Sequence, residues 1–254
     1  MMLNNIKLSK KEVFALRDKK INYGGESIIV RPNIPNTIYK LYRESVSQEE
    51  RENKHKKLEL VKERNLKFTT KPQSVITCED KIVGHAYDYD KEDMPMLLFP
   101  LTTKEKISYL RRIKLILNYF KRNGIIFADL KCDNILINRV TGKIKFCDMD
   151  SIQIDNLKTS INEEFLLQAF KDGLLDEKVH VYLHNLMIID ELLTDTSDSF
   201  VDALEEIDLE KVKSCFNVDC QKIIEYIVKK KSNYYDLFLI DGINEESIVK
   251  YKKR

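Results

Sequence analysis

Glycine and proline are scarce in this chain. Its 254 residues hold 7 and 5 of them, without clustering, so composition marks neither a linker nor a domain boundary. No internal repeat or low-complexity tract stands out. No apolar run approaches the roughly 18 residues a membrane span needs, and the N-terminus lacks the apolar core of a secretory signal. Neither sign of charge is in excess. Lys and Arg number 43 against 41 Asp and Glu, which gives no general electrostatic reason to bind nucleic acid or a membrane surface. The basic end at Lys250, Lys252, Lys253 and Arg254 reads as a solvated tail. Five cysteines, an odd number at irregular spacing, fit reduced thiols in a cytoplasmic protein. Cys215 and Cys220 have no second pair nearby, and His180 and His184 no acidic third ligand, so neither pair reads as a metal site.

What is present is ample apolar content, 43%, enough to bury a core in one large domain or two lobes. Three capping-box spacings, Ser9 with Glu12, Ser47 with Glu50 and Thr102 with Glu105, predict helix starts. The second opens a polar helix running to about Arg64, with Leu58 and Val61 as its apolar anchors. The third precedes a 3.6-residue stripe of Ile107, Leu110, Ile113, Leu117 and Phe120, ended by Asn123-Gly124. Between the first two helices, Ile21–Tyr42 reads as strands broken at Gly24-Gly25 and at Pro32–Asn36. Val75–Thr77 and Lys81–Tyr87 read as a hairpin. From Asn162 onward the pattern is helical, with an apolar stretch over Val179–Leu193. A strand-rich first third before a helical remainder predicts an α+β fold of two lobes, 1–101 and 102–254.

Chemistry concentrates in Phe127-Ala128-Asp129-Leu130-Lys131-Cys132-Asp133-Asn134-Ile135-Leu136-Ile137 and, after a short hairpin, Cys147-Asp148-Met149-Asp150. Phosphoryl transfer needs this mixture: a carboxylate to orient the attacking hydroxyl, a cation beside the moving phosphoryl group, and an amide with a second carboxylate for Mg²⁺.

These segments resemble the protein-kinase-like superfamily, whose catalytic loop runs Asp-Leu-Lys-Pro-x-Asn and whose later Asp-Phe-Gly motif matches at Asp148. The resemblance implies a two-lobed kinase fold and an enzyme that uses Mg-ATP to phosphorylate a protein Ser/Thr or small-molecule hydroxyl. It implies Asp129 as catalytic base, Lys131 on the γ-phosphate, and Asn134 and Asp148 as metal ligands. Lys40, in Ile38–Tyr42, would orient the ATP phosphates, Gly24 and Gly25 would stand for the glycine-rich loop, and Glu52 (Glu59 next) would pair with Lys40. Adenine is expected against His85–Tyr89 or Met96–Leu101.

Three departures matter. Phe127-Ala128 replaces the usual His-Arg, Asp150 replaces the motif glycine, and Ser151–Lys178 lacks the Ala-Pro-Glu that supports peptide substrates. His180 stands where the family has a structural Asp. Two other readings follow: a small-molecule kinase or nucleotidyl transferase on the same fold, and a nucleotide-binding scaffold without catalysis.

Overall fold

The computed structural model describes residues 3–159, 170–171, 174–176, 178–193, 207–228 and 237–252. The architecture is mixed α+β, and the chain divides into two compact units. The first comprises 1–97 with 133–152, the second 98–132 with 153–254. The first unit thus ends before the expected boundary at 101 and recruits a later hairpin.

In the first unit, β1 (Asn4–Lys7), α1 (Lys10–Arg17), β2 (Lys20–Tyr23), β3 (Ser27–Val30), β4 (Thr37–Tyr42), α2 (Gln48–Glu63), β5 (Pro72–Cys78) and β6 (Lys81–Asp88) follow in order. Six strands form one sheet in the order β1-β5-β6-β4-β3-β2, with only β1 parallel to its neighbour. The expected β5–β6 hairpin forms, and Glu79 and Asp80 make its turn with φ of 50° and 59°. All three capping boxes close as the spacing predicts, each N-cap hydroxyl taking the backbone N–H three residues on.

Side-chain alternation gives this sheet two unlike faces. Ile28, Val30, Tyr39, Leu41, Ile76 and Ala86 form an apolar core on one, with Leu16 of α1 packed against it. The strand residues in between, Lys40 and Tyr42 on β4 and His85 and Tyr87 on β6, therefore point to the other face, against which α2 packs. At Gly84 the strands approach closely: a Cβ there would lie 2.3 Å from the Lys40 carbonyl oxygen. Only glycine lets β6 sit this near β4.

A second, three-stranded sheet in this unit is ordered β10-β9-β7, from β7 (Asp93–Pro95), β9 (Ile135–Asn138) and β10 (Ile144–Phe146). Pairing of β9 with β7 draws residues 133–152 into the first unit.

In the second unit α3 (Thr103–Arg122) buries Ile107, Leu110, Ile113, Leu117 and Phe120, the stripe read from sequence, and Gly124 follows with φ 68°. The strand β8 (Ile125–Ile126) pairs with β11 (Gln153–Ile154), and α4 (Val179–Leu193) covers the predicted apolar stretch. One expectation fails here. Phe170–Lys171 and Leu174–Leu175 form a small antiparallel pair, β12 and β13, where the pattern after Asn162 reads as helix. Tertiary hydrogen bonds override the local pattern: Leu175 N–H donates to Gln153 Oε1 (2.6 Å), and Gln153 Nε2 donates back to the Leu175 carbonyl (3.1 Å). The rest of the stretch expected to be remodelled, 160–169, 172–173 and 177, lies outside the described residues, as do 253–254 of the basic tail. No described helix is long and apolar enough to cross a membrane.

Candidate active site

Lys40 lies on the polar face of the first unit's sheet, 8% exposed. Its ammonium contacts Asp148 Oδ1 and, at 2.6 Å, Asp150 Oδ1. Residues 108 and 110 positions apart in sequence are thus brought onto one cation. Burial opposes the charge on Lys40, but Asp148 and then Asp150 raise its pKa well above the usual lysine value. Burial alone would raise the Asp150 carboxyl, yet Lys40 and next Lys54 hold it well below the ordinary carboxylate range.

Asp148 lies two residues past the end of β10 in the left-handed region, φ 61°, which Asp tolerates better than most residues. The turn is held twice by Ser151, whose N–H donates to the Asp148 carbonyl (3.1 Å) and whose hydroxyl donates to Oδ2 (3.0 Å). Asn134 stands immediately before β9 at the same end of the hairpin, where its carbonyl accepts from Cys147 N–H (3.0 Å). The hairpin thus carries one carboxylate, Asp148, and one side-chain amide, Asn134, at the same end, oxygen donors of the type that Mg²⁺ takes in ones and twos beside phosphate and water. Among the described residues no three His, Cys, Asp or Glu side chains gather as a self-sufficient metal cage. His180 and His184 are buried, with Phe127 N–H donating to His180 Nε2 and His184 Nε2 2.8 Å from the Leu110 carbonyl.

Glu52 is not the partner of Lys40, contrary to the sequence expectation. It is exposed on α2 and accepts from Gln48 Nε2 at 3.2 Å. Glu59 lies 3.7 Å from His55 Nε2 and is likewise no partner of Lys40. The reason is helical phase. The buried face of α2 consists of Lys54, Lys57, Leu58 and Val61, spaced as a 3.6-residue repeat requires, and that stripe bypasses both glutamates. The acid arrives instead from Asp150, which is fully buried.

Behind Asp150 runs a chain of hydrogen bonds that the sequence reading missed. Tyr42 donates its hydroxyl proton to Asp150 Oδ2 (3.1 Å), His85 Nδ1 lies 3.0 Å from that hydroxyl, and His55 Nδ1 lies 3.1 Å from His85 Nε2. Since the carboxylate only accepts, the protons follow in order: His85 carries its hydrogen on Nδ1, and His55 Nδ1–H donates to His85 Nε2. Lys57 Nζ meets the Asp150 carbonyl at 3.5 Å, and burial, then Lys54, lowers its pKa to about 8. One signal for these groups was available. Strand alternation puts Tyr42 beside Lys40 and sets His85 directly opposite Lys40 in the β4–β6 register.

Gly24 and Gly25 form the exposed turn between β2 and β3, closed by Gly24 N–H to the Ser27 carbonyl (2.9 Å). Neither has a positive φ, and a Cβ on Gly25 would meet nothing within 4 Å. Their backbone could thus be made by other residues. What glycine supplies is an uncovered main chain.

Asp129 and Lys131 belong to the second unit. Buried Phe127, Ala128, Leu130 and Cys132 anchor their loop, leaving Asp129 and Lys131 turned outward with 3.0 Å between Oδ2 and Nζ. The loop is tied down at Phe127, whose N–H donates to His180 Nε2 (2.7 Å) and whose ring stacks on Phe120. His180 thus supplies an acceptor to the loop backbone. Burial pushes the Cys132 thiol upward, with Glu191 adding to it, so Cys132 packs rather than reacts.

Three buried histidines, His85, His180 and His184, have pKa values lowered by burial to about 3, 3 and 4. Each is neutral in the folded chain and titrates near 6.5 when unfolded. The unfolded chain therefore binds protons first as pH falls, and stability present above pH 6.5 is lost on the way down to these values. At pH 5 the loss is about 2 kcal/mol per histidine. Urea midpoints should fall steeply between pH 7 and 5, before carboxylates titrate, and a flat profile there would contradict the burial of these rings.

No protein-family model matches the chain, and no characterised protein matches it significantly in sequence.

Proposed function

We propose that the chain is a Mg-ATP-dependent phosphotransferase of protein-kinase-like, two-lobed design, acting on a Ser/Thr hydroxyl of a protein. The observation that carries this reading is the meeting of Lys40 with Asp148, 108 residues apart, at the hairpin end that also bears Asn134. A lysine for the α- and β-phosphates beside a carboxylate and amide for the metal is the nucleotide-holding half of phosphoryl transfer as protein kinases carry it out. Asn134 and Asp148 would hold Mg²⁺, which when bound offsets phosphate charge. Gly24 and Gly25 would offer backbone N–H groups to the phosphates. Asp129 would take the proton of the acceptor hydroxyl as its oxygen bonds to the γ-phosphorus and the bond to the ADP oxygen breaks. Lys131 would neutralise charge on the transferred group. A lysine two residues after the base favours a protein acceptor over a small molecule.

Incubation with ATP labelled at the γ or the α phosphate tests this. Label on protein from the γ position alone is the expected result. Label from the α position would replace the reading with nucleotidyl transfer, and no label with intact nucleotide binding would replace it with a scaffold.

A further inference from the structure

The buried face of α2 presents ammonium groups where the resemblance calls for a glutamate. Lys54 is 1% exposed and Lys57 fully buried, one helical turn apart. Lysine is almost never this buried without a counter-ion. The Lys54 ammonium meets Glu26 Oε2 at 2.8 Å, and half of the Glu26 side chain is open to water. As a stability device this pair is poor: one partner bears the full cost of desolvation while solvent screens the other.

Its position suggests another use. Glu26 directly follows Gly24-Gly25, the uncovered turn, and its carbonyl accepts from Arg43 N–H (2.8 Å), which fixes the turn beside β4. On the inner side, the next buried residue of α2, Lys57, brings its Nζ to 3.5 Å from the Asp150 carbonyl. The buried face of α2 that carries Lys54 thus runs from the Gly24-Gly25 turn to Asp150 of the Lys40 cluster. An anion arriving at the turn would repel Glu26 and attract Lys54.

We infer that Lys54 is a second phosphate-binding lysine, which Glu26 holds in place until the terminal phosphates of a nucleoside triphosphate take over as its counter-ion. This rests on the nucleotide reading above and adds to it a polarity opposite to the expected helix glutamate: α2 brings a cation to the phosphates, and Lys40 takes its carboxylates from Asp148 and Asp150. Glu26 is a competitor for Lys54 and not a ligand partner, so the two residues have opposite effects on affinity.

The test is calorimetric titration of the full chain with Mg²⁺ and a non-hydrolysable imido analogue of ATP, alongside AMP, for the unaltered protein, Lys54→Gln and Glu26→Gln. Lys54→Gln is expected to weaken the triphosphate analogue by about tenfold, as for loss of one charge-assisted contact, and to leave AMP unchanged. Glu26→Gln is expected to tighten the analogue by about threefold, since it removes the competing anion. A merely structural ion pair would weaken binding in both variants or in neither, and either result overturns the inference. If Lys54→Gln does not fold, Glu26→Gln decides alone: tighter binding upholds the inference, unchanged or weaker binding overturns it. Absence of any nucleotide binding by the unaltered chain removes the underlying reading and this inference with it, whereas binding that is indifferent to both variants overturns the role of Lys54 alone.

Discussion

Asp150→Ala is expected to cost about 3–5 kcal/mol of stability, the range for breaking a buried ion pair by deleting one partner. Its carboxylate is fully buried and receives both Lys40 and Tyr42, with His85 and His55 lined up behind. Removing it leaves Tyr42 without its acceptor and Lys40 with only Asp148, whose side chain is 26% exposed and cannot replace a buried anion. Asp148→Asn should cost much less, because its carboxylate is partly solvated and Asn accepts the left-handed backbone that Asp148 adopts. Urea denaturation of the two variants gives the comparison directly. Equal losses, or a greater one for Asp148→Asn, would mean that Asp150 is not the anchor of Lys40.

The other large effect belongs to catalysis. Asp129→Asn should lower turnover by about 10²- to 10⁴-fold, the usual contribution of a positioned general base, while nucleotide affinity stays near that of the unaltered chain. Lys40, Asn134 and Asp148, proposed to hold the phosphates and metal, all lie in the first unit, and the substitution leaves those side chains in place. Asn is nearly isosteric and still accepts from Lys131, so the loop anchored by Phe127 and His180 should persist. Autophosphorylation and ATP hydrolysis are the measurements. Unchanged rates would remove Asp129 from the chemistry.

Much of this molecule could be read from its sequence because local rules dominate where helices begin and strands turn. Ser9, Ser47 and Thr102 each close the capping box that their spacing promises, and Gly124 stops α3 in the left-handed conformation. The hairpin β9–β10 and the turn at Gly142 (φ 64°) follow the same logic. The pairing of Lys40 is different in kind. Asp150 was legible as a departure from a motif, yet its role depends on a buried contact across 110 residues, which no local pattern encodes. The resemblance calls for a helix glutamate and so points to Glu52, although the period through Leu58 and Val61 already runs through Lys57 and Lys54 and misses Glu52. Counting only the apolar members of the stripe hid the two lysines on it. The pairing of Phe170–Lys171 with Leu174–Leu175 escapes a local pattern because Leu175 is held by Gln153, a residue some twenty positions away.

The most direct measurement is calorimetric titration of the chain with ATP, with Mg²⁺ and then with a chelator, repeated on Asp148→Asn. Saturable binding that needs the divalent ion and disappears in the variant is the predicted result. No affinity for any nucleotide, or equal affinity with and without the Asp148 carboxylate, would contradict a triphosphate site built on Lys40, Asn134 and Asp148.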